Sequence, residues 1–138
     1  MAASAKLDNV VRYKRGILTG HVESYFWRAN DPQSRRAFWL KATILARTGR
    51  QPPIADIWCC TFDGIKGEVW GDRESVALDE AHFEGAPLEI DIGQCHFRLD
   101  PEAGTSRGRL ANDRGACEWD LSWAPSRAPL SEPLSIFP

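Results

Sequence analysis

Two long runs of aromatic and β-branched residues, separated by a short polar turn, constrain this chain more than any other feature. The first is Gly20-His21-Val22-Glu23-Ser24-Tyr25-Phe26-Trp27-Arg28-Ala29 and the second is Arg36-Ala37-Phe38-Trp39-Leu40-Lys41-Ala42-Thr43-Ile44-Leu45-Ala46. Between them, Asn30-Asp31-Pro32-Gln33-Ser34 carries the residue types that start turns and a proline that cannot continue a ladder. This pattern predicts a long β-hairpin. A lone hairpin is marginal in water, so further strands must cover it. Side chains two apart share a face, which groups His21, Glu23, Tyr25 and Trp27 against Val22, Ser24, Phe26 and Arg28. Each face mixes polar and aromatic groups, as the wall of a pocket does.

Downstream, the same period-two signal recurs. Ile54–Phe62 predicts a third strand, followed by Asp63-Gly64 as a turn. Residues 66–70 and 74–78 predict two short strands or one bent strand, with Gly67 and Gly71 as turn or bulge points. Residues 77–81 allow one helical turn. Residues 88–92, 95–99, 106–110 and 117–123 alternate again, separated by turn signals at Gly93-Gln94, residues 100–104 and residues 112–115. In the last run Cys117, Trp119, Leu121 and Trp123 face one way and Glu118, Asp120 and Ser122 the other. No helix is long enough for a βαβ crossover. The expectation is an all-β antiparallel meander closed as a barrel or sandwich.

A length of 138 residues fits one such domain, expected over 17–124, between a flexible segment 1–16 and a Pro-rich, apolar tail 125–138. The tail ends on Leu134, Ile136 and Phe137, residues that need something to dock on. Basic and acidic residues, 17 against 19, are interleaved, so no basic stripe suggests nucleic acid, and Arg12, Lys14 and Arg15 read as a solvated entry. No run approaches the roughly 20 apolar residues of a membrane span, and residues 1–7 lack the apolar core of a secretory signal, so the expected compartment is the cytosol. Cys59, Cys60, Cys95 and Cys117 are expected as reduced, partly buried thiols.

The run 20–26, then Arg28-Ala29-Asn30-Asp31-Pro32, then Ala37–Thr43, resembles the opening of lipocalin-like proteins related to carotenoid 1,2-hydratase (hydroxyneurosporene synthase), with tocopherol cyclase a more distant relative. Trp58–Gly64 looks like that group's third strand, and Trp119-Asp120-Leu121 like the strand closing its first domain. The likeness covers roughly 18–137. It implies a lipocalin-like barrel or half-barrel with an apolar, isoprenoid-like ligand bound in or between two β-domains. The chain stops about where the second domain would begin. A missing second β-domain, or a homodimer formed through the tail, is therefore an expected partner, and no catalytic residue carries over from the group.

The residues themselves nominate a site. His21 and Glu23 share a strand face and suit a hydrogen-bonded pair. Acid-assisted hydration, cyclisation or isomerisation needs a carboxylic acid kept protonated by apolar surroundings. Glu23 and Asp56 are the candidate proton donors. Asp120 lies opposite its strand's apolar face and reads as solvated. Aromatic groups line cavities and stabilise cations. The aromatic set is Tyr25, Trp27, Phe38, Trp39, Trp58, Trp70, Trp119 and Trp123, of which Tyr25, Trp27, Trp39 and Trp58, with His21, are the expected ligand contacts. No cofactor or metal is expected, because His82, His96 and the thiols lack metal-ligand spacing. Three readings remain open: a binding module for an apolar small molecule, a small self-contained enzyme, and an interaction domain that uses its tail.

Overall fold

A computed structural model describes residues 10–85, 87–100 and 103–124. Among these residues, nine strands follow one another in two antiparallel meanders. The first sheet has the order β1 (His21–Asp31), β2 (Arg36–Ala46), β3 (Ile54–Asp63), β4 (Glu68–Ala77). The second has the order β5 (His82–Gly85), β6 (Leu88–Ile92), β7 (Cys95–Leu99), β8 (Gly104–Asn112), β9 (Gly115–Trp123). Local chemistry sets each reversal. Asp63 Oδ1 accepts the backbone N–H groups of Ile65 and Lys66 at 3.0 Å, and Gly67, at φ 70°, turns the chain back into β4. Gly93, at φ 56°, does the same in the two-residue β6–β7 turn.

The all-β antiparallel class is as expected, but the barrel is not closed. A 3-10 turn at Leu78–Glu80 separates β4 from β5. Leu78 is buried there and its N–H bonds to the Pro53 carbonyl at 3.0 Å, one step past the Ile54–Ala77 pair, before the chain turns into the second sheet. Among the described residues no strand pair joins the two sheets. They pack face to face instead. Leu40, Ile44 and Ile57 of the first sheet and Ile90, Ile92 and Phe97 of the second form one core. Trp27 stacks on Phe97 across the interface, with ring centroids 4.2 Å apart.

The two halves of the expected β4 prove to be one strand. Gly71 pairs in register with Cys60 rather than forming a bulge, and a Cβ at Gly71 would lie 2.9 Å from the Cys60 thiol. The last strand alternates as predicted, and its tryptophans lie across glycines of β8. Register sets Trp119 opposite Gly108 and Trp123 opposite Gly104. A Cβ at Gly108 would sit 2.5 Å from the Trp119 ring. Segment 10–13, expected to be flexible, is fastened down: the N–H groups of Arg12 and Tyr13 bond to the Glu23 carboxylate at 2.8 and 2.9 Å. Residues 125–138, the expected docking tail, lie outside the described residues.

Candidate functional site

Because the side-chain period of a strand is two, each position of the first sheet is assigned either to the interior or to the outer face. The inner set of β1 is His21, Glu23, Tyr25, Trp27, Ala29 and Asp31. At its start, Glu23 is the hub of a small network. Besides the two N–H groups of segment 10–13, it accepts the Tyr25 hydroxyl, and His21 Nε2 lies 3.0 Å away. Burial alone would raise its pKa. The Tyr25 and His21 hydrogen bonds and the two backbone donors outweigh that and hold the carboxyl below its ordinary value. Burial and the adjacent carboxylate push the Tyr25 phenol upward in turn. Glu23 is thus kept ionised, the opposite of what a proton donor requires. The expected His21–Glu23 pair is present, and its geometry ties the entry segment to β1.

Asp56, Trp58 and Trp39 belong to the other face. Asp56 is buried although it points away from the core, in a polar cross-strand row of Ser24, Thr43, Asp56 and Ser75. Ser75 donates its hydroxyl to Asp56, and the hydroxyls of Ser24 and Thr43 are 3.1 Å apart. The next row, Phe26, Lys41, Trp58 and Arg73, alternates aromatic rings with cations. Lys41 Nζ and the Arg73 guanidinium each lie 5.0 Å from the Trp58 ring centre. Trp39 follows in the row of Arg28 and Cys60. Of the expected ligand contacts, the structure brings His21, Tyr25 and Trp27 to the inner face and sets Trp39 and Trp58 outside. They do not line one cavity.

The cavity lies at the opposite end of β1, six to eight residues or about 20–27 Å from Glu23 along the strand. It has a volume of about 680 Å³. Two inner rows of the first sheet form its wall: Ala29, Phe38, Thr61 and Trp70, then Asp31, Arg36, Asp63 and Glu68 at the rim. The β8–β9 turn contributes Arg114. Phe38 and Trp70 come from the aromatic set singled out in the sequence, whereas Arg36 and Arg114 carry no sequence signal that marks them.

The polar groups of this mouth are unevenly satisfied. Asp63 is held below the ordinary carboxylate range first by the Lys66 N–H, then by Ile65 and the nearby Arg36, whose Nε is 3.5 Å from it. The Ser34 hydroxyl does the same for Asp31. The Trp70 indole Nε1–H is buried and has no hydrogen-bond partner among the described residues. No protein-family model, curated protein or solved structure matches the chain. The site is therefore read from its own chemistry. A Cβ on Gly115 would lie 3.2 Å from Trp70 Nε1, so the unpaired donor sits beneath the turn that carries Arg114. A buried donor without a partner costs about 1–3 kcal/mol, a cost that an incoming acceptor removes.

Proposed function

We propose that this chain binds a mostly apolar small molecule with an oxygen-bearing head at the open end of its β-sandwich. A cavity of about 680 Å³ walled by Phe38 and the Trp70 ring, with the unpartnered Trp70 indole N–H buried beside it beneath the β8–β9 turn, is the observation that carries the reading. Small-molecule sites are concave and largely apolar, with a few polar groups that fix orientation. Phe38 and the Trp70 ring supply the apolar surface, Arg114 supplies donors for a hydroxyl, carbonyl or carboxylate, and a shift of the β8–β9 turn adds the Trp70 Nε1–H. The resemblance to the carotenoid-hydratase group supplies the ligand class, an isoprenoid-like chain. A binding role is favoured over a self-contained hydratase or cyclase, since Glu23 is ionised and Asp56 lies on the far side of the sheet.

Titration of the purified chain with farnesoic acid, an isoprenoid carboxylic acid, followed by calorimetry and Trp fluorescence, tests the proposal. Saturable 1:1 binding is expected. Trp70→Phe, which keeps a ring and removes the donor, should weaken it roughly tenfold, as the loss of one buried hydrogen bond predicts. Absence of binding, or equal affinity in Trp70→Phe and Phe38→Asp, would overturn it.

A further inference from the structure

The outer face of the second sheet brings together groups that the sequence keeps apart. His82 and Glu84 project from β5 on the side opposite Phe83, and Glu89 and Asp91 from β6 on the side opposite Ile90. Register then places Glu84 directly across from Glu89, and His82 across from Asp91. Like charges facing each other in one cross-strand pair destabilise a sheet. Here the two carboxylates adjoin an imidazole, and one ligand atom from each of His82, Glu84 and Glu89 lies within 4.8 Å of the other two. We infer that His82, Glu84 and Glu89 form a divalent-cation site, suited to Zn2+, on the solvent face of the second sheet.

The geometry fits the ion. Zinc holds nitrogen and oxygen ligands at about 2.0–2.1 Å, which puts neighbouring ligand atoms of a tetrahedron roughly 3.3–3.4 Å apart. His82 Nε2 and Glu84 Oε2 are already 3.4 Å apart. A Glu89 carboxylate oxygen lies within 4.8 Å of both. One flanking contact reaches a proposed ligand: Arg98 donates to Glu89 Oε1 and leaves the other carboxylate oxygen for an ion. Such outer partners orient ligating carboxylates. Three protein ligands leave one coordination position open, as in zinc sites that also hold a water or a small anion. Glu89 also lines a polar groove of about 450 Å³ that runs across β6–β9, so an exogenous ligand has room beside the metal. The site is separate from the aromatic mouth and does not depend on what the mouth binds.

Calorimetric titration of the full chain with Zn2+ alone tests the inference, with Co2+ absorption as a spectroscopic readout. One ion per chain is expected. His82→Asn and Glu89→Gln should each weaken binding at least tenfold, while Cys117→Ser and His21→Asn leave it within twofold. Bound Co2+ should show d–d bands without a thiolate charge-transfer band. Circular dichroism of each variant separates loss of the site from loss of the fold, and Glu84→Gln, on the edge strand β5, is a third independent probe. No saturable binding by the folded chain, unchanged affinity in His82→Asn and Glu89→Gln, or a thiolate band that disappears in Cys117→Ser would overturn it.

Discussion

Glu23 shows how a residue that looks catalytic in a sequence acquires another job. Its spacing from His21 and its place in an aromatic run suit a general acid, yet two backbone N–H groups, one hydroxyl and one imidazole converge on it. None of the backbone donors can be seen in the sequence, because they come from a segment with no periodic signal. A carboxylate whose pKa is lower folded than unfolded stabilises fully above the unfolded value, near 4.3, and loses that contribution as pH falls through the folded value. Glu23→Gln should therefore cost about 1–2 kcal/mol in urea unfolding at pH 7, and the difference from the parent should shrink from about pH 4.5 downward. A gap that stays undiminished at pH 3 would rule this out. The thiols also diverge: the hydrogen bond from the Cys59 thiol holds half-buried Cys117 below its ordinary value, whereas burial pushes Cys95 up to about 11. Iodoacetamide at pH 7.5, followed by peptide mass mapping, should label Cys117 ahead of Cys59 and Cys95.

At the scale of elements, the strands were legible where alternation ran for five residues or more. β5 escaped notice because its four residues bury only Phe83 to any depth, too short a run for a period to register. Gly71 misled for a different reason. Glycine in a strand marks either a bulge or a close neighbour, and sequence cannot say which; here the neighbour is the Cys60 thiol. Gly108 answers a similar demand from Trp119. Its backbone needs no unusual conformation, so only space is at stake. Gly108→Ala should destabilise the fold by about 1–3 kcal/mol through overpacking against the indole and the Cys95 thiol, measurable as a lowered Tm. A neutral outcome would mean that the ring is free to move aside.

For the molecule as a whole, alternation told which residues share a side but not which strands meet. Barrel closure depends on the pairing of β4 with β5, and the 3-10 turn at Leu78–Glu80 that prevents it registers in the sequence only as a possible helical turn. The same limit governs the cavity. Phe38 and Trp70 stood out as aromatics, but the covering of the Trp70 indole by the β8–β9 turn is a tertiary event, and so is the convergence of His82 with Glu89. Among the described residues no helix is long and apolar enough to cross a membrane.

Among the described residues, every ladder joins strands that are also successive along the backbone. Such wiring requires little loop closure per contact and favours rapid zippering. During synthesis, residues 21–77 have all their pairing partners in hand as soon as Ala77 clears the ribosome. Their greasy side must then wait uncovered for the remaining five strands. Stalling the nascent chain once Ala77 has emerged and before Leu88 has should accordingly expose the most chaperone-dependent species this polypeptide forms.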